Sequence, residues 1–204
     1  MATDLVLAPA IPSNTARAGG VVFPILRSVA EAYGSRPGDG TARRVGAFLT
    51  VASFQGTVIT SAMFLTAMAA NPLAAELAAA QGITITWMDW ALAAVVPGVC
   101  SLVLVPWILY LLFPPEVKET PEAAALARER LHELGGMRRE EWVMAACFVL
   151  LLGLWILAEP LGIHTTTTAL VGLVLLLLTK VLSWEDILQE RGAWDTLVWF
   201  SALV

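Results

Sequence analysis

Ser13, Asn14 and Thr15 stand side by side, just after Pro9 and Pro12 and just before an apolar run that begins at Ala16. The two prolines discourage a helix through Ala10-Ile11. The three residues that follow each carry a short side chain that donates and accepts hydrogen bonds. All three are also good helix N-caps, so in a water-soluble chain the stretch reads as a capped turn. Beside the partial positive charge of the helix start near Ala16, two hydroxyls and an amide suit a carboxylate or another small oxyanion. Neutral donors hold an anion without a full ion pair, so release stays open. Alternatively, the Ser13 and Asn14 oxygens, with carbonyls at the break, suit Na⁺.

No other constellation rises to that level. Ser13, His164 and Asp195 supply triad-type side chains but sit at opposite ends of different segments, and no HExxH, GxSxG or phosphate loop occurs. The expectation is that the chain is not an enzyme. Cys100 and Cys147 both lie in apolar runs without metal-ligand spacing, which argues against a disulfide or a metal centre. His132 reads as a solvated residue on a polar helix. No basic patch suggests nucleic acid.

The elements that position the triplet are apolar. Of 204 residues, 58% are hydrophobic and 14% charged, with a mean hydropathy of +0.75. Soluble domains carry roughly 25% charged residues. The reading is therefore an all-α integral membrane protein. Residues 1–33 read as a re-entrant helical hairpin whose arms meet at Ser13–Thr15, because Arg17, Pro24, Arg27 and Glu31 are poorly placed in a lipid-facing span. An amphipathic surface helix over 16–33 is the alternative. Residues 34–44 are a loop by glycine, proline and charge content. Residues 45–70 form an uncharged run long enough to cross a bilayer. Their Ser53, Gln55, Thr57, Thr60, Ser61 and Thr66 suit a helix that is packed or lines a cavity. Asn71-Pro72 reads as the turn that closes it. A link follows to about residue 88, then a span over 90–113 bent at Pro97-Gly98 and Pro106, with Trp90, Trp107 and Tyr110 near its ends.

Residues 114–141 form a polar connection holding one amphipathic helix, opened by Thr120-Pro121-Glu122 and ended by Gly135-Gly136. Two more spans follow at 142–158 and 164–182, then a capped helix at Ser183–Asp186 and a final apolar run from Trp194. This makes four complete spans and the start of a fifth. Arginines and lysines alternate loop by loop: the connections at 34–44, 114–141 and 183–193 carry them, and those at 71–88 and 159–163 do not. The positive-inside rule places the basic loops in the cytoplasm and opens the hairpin to that side. A multi-pass protein of the cell inner (plasma) membrane is the expectation. Both ends fall close to informative or apolar stretches, so an internal fragment is expected.

Four stretches together carry a family resemblance. They are Pro12–Gly20, Thr60–Pro72, Pro114-Pro115-Glu116 and Ala193-Trp194-Asp195-Thr196-Leu197. The chain resembles the divalent anion:sodium symporter family. The branch it is most similar to holds bacterial citrate, tartrate and succinate carriers and the plastid 2-oxoglutarate/malate translocator. The resemblance implies an inverted-repeat transporter with two re-entrant hairpins, of which 34–113 closes the first repeat and 142–204 opens the second. It implies carboxylate contacts from Ser13, Asn14 and Thr15, with Thr66 and Asn71 as the nearest matches to the residues contributed by the broken span. A sodium site near Ser13 and Asn14 follows from the symporting members. The break reads Thr66–Asn71 here, without those members' glycine-threonine pair and prolines, and this leans towards anion exchange.

The expected function is secondary active transport of di- or tricarboxylates by alternating access, as an exchanger or a Na⁺ symporter, with no cofactor beyond a possible coupling Na⁺. The expected partners are the carboxylate substrate, the lipid bilayer and, in the full-length protein, a second copy in a homodimer. A carrier of inorganic oxyanions of the sulfate type and a membrane scaffold without transport of its own are the competing readings.

Overall fold

The computed structural model describes residues 1–120 and 123–202. Helices are the regular elements among the described residues, and the chain forms two compact units, Met1–Gly135 and Gly136–Val204. The expected helix opening at Pro121-Glu122 lies outside the described residues.

The first unit begins with a helical reversal. Helix α1 (Ala2–Leu7) leads into a connection over 8–15, and the chain returns through Ala16–Val22 and α2 (Phe23–Ala32). The return arm starts as a π-helix: the Phe23 N–H reaches back five residues to the Ala18 carbonyl. Such wide turns are rare and cluster at functional sites. Gly19-Gly20 lies within it, and Pro24, which has no N–H to give, falls where it ends. The arm ends against the start of α3 (Gly46–Met63). There the Ser35 hydroxyl oxygen accepts from the Gly46 N–H at 2.9 Å, and Ser35 can donate to the Thr41 carbonyl at 2.9 Å. A side chain at Gly46 would crowd that oxygen.

Helix α3 stops at Met63, and Phe64 is extended. After a break over 64–69 the chain resumes as α4 (Ala70–Ala79). The run expected to continue to Ala70 is thus interrupted six residues earlier, and Asn71-Pro72 opens a helix rather than forming a turn. The reason is local. Pro72 sits in the first turn of α4, where a missing N–H breaks no bond. Asn71 turns its side chain back to the end of α3.

Helix α5 (Trp87–Leu112) is closed at its start by a capping box between Thr86 and Asp89. It runs antiparallel to α3. At one end the Trp90 indole donates to the Ala62 carbonyl at 2.9 Å. At the other, Phe48 and Tyr110 meet edge to face, the Arg43 guanidinium lies 3.8 Å over the Phe113 ring, and the Val117 N–H donates to the Arg44 carbonyl at 2.9 Å. The basic loop at 34–44 and the chain after α5 therefore lie at the same end of the pair, as the charge alternation expects. At the last residue of α3, Gly98 admits the Met63 side chain so closely that a Cβ there would sit 2.6 Å from Met63 Cγ. Helix α6 (Ala123–Leu134) ends at Gly135, whose φ of 73° needs glycine.

In the second unit α7 (Arg139–Ile156) and α9 (Thr165–Leu178) pack together, joined through the short α8 (Ala158–Leu161). Leu151 occupies the space where Gly172 lacks a side chain, and the Trp155 indole donates to the Thr165 carbonyl at 3.1 Å. Helices α10 (Trp184–Gln189) and α11 (Arg191–Ser201) follow. The expected cap is present: the Asp186 N–H donates to Ser183 Oγ, while the Ser183 N–H and hydroxyl donate to Asp186 and hold its carboxyl below the usual range.

Among the described residues, α3 and α5 are the helices of 18 or more residues apolar enough to cross a membrane. Helix α7 has 18 residues but opens on Arg139-Glu140-Glu141, and α9 has 14. Only 6% of the most apolar stretch of α5 is buried within the chain, so Leu92, Val96, Val103 and Leu111 face outward. A surface this apolar is expected against lipid or other helices, not water.

Gly98→Val should force Met63 out of its seat and lower stability by about 1–3 kcal/mol, as overpacking typically does. Met63→Ala in the same protein should recover part of that loss, measured as coupling in a double-mutant cycle of thermal unfolding in detergent.

Candidate functional site

The triplet lies at the reversal between α1 and the return arm, with Ser13 and Thr15 exposed and Asn14 half-buried. Its acceptors turn inward. Ser13 Oγ accepts from the Ala16 N–H at 3.1 Å, and Asn14 Oδ1 accepts from the Thr15 N–H at 2.8 Å. The Ser13 carbonyl takes the Arg17 N–H at 3.0 Å. The free N–H groups that the sequence offered to an anion are thus occupied at Thr15, Ala16 and Arg17. What remains is side-chain donors. Among the described residues, the Ser13 hydroxyl proton and the Asn14 amide nitrogen have no acceptor, and the Thr15 hydroxyl has only a long contact of 3.4 Å to Asn14 Oδ1. One N–H bond takes up part of each oxygen's capacity to ligate a cation, whereas unspent donors suit an anion.

Thr66 and Asn71 lie in and just after the break, and both are buried. The Thr66 hydroxyl donates to the Pro9 carbonyl at 2.6 Å and accepts from the Trp87 indole at 3.1 Å. Asn71 Nδ2 donates to the carbonyls of Ser61 and Phe64, each at 2.8 Å. Those carbonyls belong to the end of α3, where helix groups run out of intrahelical partners. Among the described residues no hydrogen bond joins Ser13, Asn14 or Thr15 directly to Thr66 or Asn71. The link between tip and break passes through Pro9, Ile11 and Arg17.

Arg17 is the residue that sequence reasoning undervalued. It is fully buried, and each of its five N–H donors has an acceptor. Nε donates to Asp4 Oδ1 at 2.8 Å, Nη1 to the carbonyls of Ile11 at 2.9 Å and Ala67 at 3.2 Å, and Nη2 to Ser61 Oγ at 2.7 Å and Thr60 Oγ1 at 3.5 Å. Thr60 in turn donates to the other Asp4 oxygen. The available signal was the pair of charges itself, Asp4 and Arg17, in an otherwise apolar stretch. Trp87 was missed too. It is the first residue of α5 and is buried, stacked on Phe64 with centroids 5.9 Å apart.

A separate, open cleft of about 470 Å³ lies along the Ala62 end of α3, lined by Ala62, Ile85, Asp89, Trp90, Ala93 and Ala94. It contains none of the expected site residues. Among the described residues no cluster of His, Cys, Asp and Glu is arranged to hold a metal.

The sequence matches the sodium:sulfate symporter transmembrane region over residues 1–204. The chain belongs to this family, the divalent anion:sodium symporters, and is a membrane protein. It is 58% identical over 203 residues to YflS of Bacillus subtilis (strain 168), by name a candidate malate transporter; the match covers 99% of this chain and 42% of that protein. It is 51% identical over 203 residues to dicarboxylate transporter 1, chloroplastic, of Arabidopsis thaliana, covering 99% of this chain and 36% of that one. Inner membrane protein YbhI of Escherichia coli (strain K12) is 43% identical over 202 residues, with 98% and 42% covered. The chain spans about two-fifths of the length of these symporter-family relatives.

Thr66→Val keeps the shape of that side chain and removes its hydroxyl, stranding the Pro9 carbonyl and the Trp87 indole. Leaving buried polar groups unpaired costs about 1–3 kcal/mol. The variant should unfold at lower temperature in detergent, and Thr66→Ser should remain close to the parent protein.

Proposed function

We propose that this chain forms part of a secondary active carrier of di- or tricarboxylates, with Ser13, Asn14 and Thr15 as one substrate-holding tip. The observation that carries the reading is the donor capacity left at the tip: the Ser13 hydroxyl and the Asn14 amide nitrogen have no acceptor among the described residues, while Ser13 Oγ and Asn14 Oδ1 each already take a backbone N–H. A carboxylate is acceptor-only and complements that surface. The names of the bacterial and chloroplast relatives point to the same substrate class. In this reading residues 1–33 are a re-entrant hairpin, the basic loops are cytoplasmic, the spans after Trp142 open a second, inverted repeat, and the host is the inner membrane of a bacterial cell. The full-length carrier works as a homodimer by alternating access. Thr66 and Asn71 act at the site by holding the break of α3 in register with the tip.

Na⁺ coupling has less support from these residues. A cation near the tip would need oxygens, yet Ser13 Oγ and Asn14 Oδ1 accept N–H bonds, and the carbonyls of Ile11 and Ala67 face the Arg17 guanidinium. The reading therefore favours anion exchange over symport. An inorganic oxyanion remains the second reading, because a tetrahedral anion also accepts from hydroxyls and the family's description names sulfate.

In the full-length carrier, Asn14→Ala combined with Thr15→Ala should abolish uptake of labelled malate into proteoliposomes while leaving membrane insertion intact. Normal uptake by that variant would sink the site assignment. Uptake by the parent carrier should depend on internal dicarboxylate and not on a Na⁺ gradient. Competition by sulfate but not by succinate would favour the second reading.

A further inference from the structure

The Arg17 guanidinium touches four separate pieces of chain: the first arm through Asp4, the approach to the tip through Ile11, the end of α3 through Thr60 and Ser61, and the break through Ala67. Two of its partners are main-chain carbonyls at places where helical hydrogen bonding has ended. Ile11 stands two residues before Ser13, and Ala67 lies between Met63, the last residue of α3, and Ala70, the first of α4. Nη1 binds both, so one nitrogen joins the tip to the break. Asp4 fixes the plane of the fork by taking Nε, and Thr60 fixes Asp4 by donating to its second oxygen. Guanidinium, carboxylate and hydroxyls are all buried, so water does not compete for these bonds.

We propose that Arg17, oriented by Asp4 and Thr60, is a positioning residue that bridges the hairpin tip to the break of α3 and so sets the geometry with which Ser13, Asn14 and Thr15 meet the substrate. This rests on the triplet being the substrate-holding tip. The bridge depends on the shape of the fork and not on charge alone. A lysine at position 17 would keep a positive charge that can pair with Asp4, but it offers three donors from a single point and cannot span Asp4, Ile11, Ala67 and Ser61 together.

The test uses the full-length carrier in proteoliposomes, with labelled malate as substrate and the amount of inserted protein measured for each variant. Arg17→Lys should raise the malate KM tenfold or more while the maximal rate per inserted carrier changes by less than about threefold. A residue that only supports folding would lower the amount of active carrier and leave KM alone. Thr60→Val, which keeps the shape and removes the hydroxyl, should raise KM about threefold, and Thr60→Ser should restore the parent value. A parent-like KM in Arg17→Lys overturns the bridge. Should that variant fail to insert, the Thr60 pair decides, and a parent-like KM in Thr60→Val overturns the proposal. Asn14→Ala alongside separates the two claims. Unchanged uptake there removes the triplet reading and the bridge with it, whereas lost uptake together with a parent-like KM in Arg17→Lys removes the bridge alone.

Discussion

A guanidinium buried in an apolar bundle must find an acceptor for every N–H, because each unpaired donor away from water costs about as much as a lost hydrogen bond. Arg17 meets that demand at the points where the fold has carbonyls to spare. The tip approach and the broken span both interrupt regular helix and so leave backbone oxygens without partners. Placing one cation between two breaks satisfies both sides, and Asp4 makes the cluster neutral. Buried ion pairs are often no more stabilising than an apolar replacement. The pair is better understood as a device that selects one relative placement of α1, the return arm and α3 than as a source of stability.

The same accounting organises the rest of the first unit. Asn71 closes the end of α3 from beyond the break, Thr66 holds Pro9 and Trp87, and Ser35 ties the return arm to the start of α3. Each is a short polar side chain, and each makes a bond that the interrupted backbone requires. The polar residues of α3 thus divide by position. Thr60 and Ser61 face the Arg17 cluster, while Ser53 and Gln55 take no part in it. A polar residue in such a run is therefore not by itself a sign of substrate contact. Ser13, Asn14 and Thr15 share leftover donor capacity with the buried Thr57 hydroxyl of α3, but they gather it in three adjacent residues at the chain reversal.

Much of this was legible in the residues. The loop at 34–44, the antiparallel pairing implied by alternating charge, the Ser183 cap and the glycine stop at Gly135 all rest on local rules, and local rules survive tertiary context. Three readings did not survive, or went unmade, for one shared reason. Asn71-Pro72 carries the signature of a turn, yet asparagine caps a helix end equally well once that end lies nearby. Trp87 has the amphipathic shape of an interface aromatic, but the Thr66 hydroxyl gives its N–H a buried partner. Arg17 and Asp4 lie 13 positions apart and look like isolated charges until the chain reverses between them. In each case the deciding partner is distant in sequence, and spacing alone does not reveal it.

Helix α5 shows how the constraint ends. It has no buried charge and little buried surface, and its contacts with α3 include a glycine seat, an aromatic edge and an indole–carbonyl hydrogen bond. Gly98 lets Met63 approach closely just before α3 breaks, so the last turn of α3 is held against α5 by packing on one side and against the return arm by Arg17 on the other. The break at Phe64 therefore lies between two fixed points and not at a loose end. A tip that must present donors in a set direction benefits from that arrangement. Any shift of the α3 terminus would be passed through Ser61 to Arg17, and from there to Ile11, two residues from Ser13.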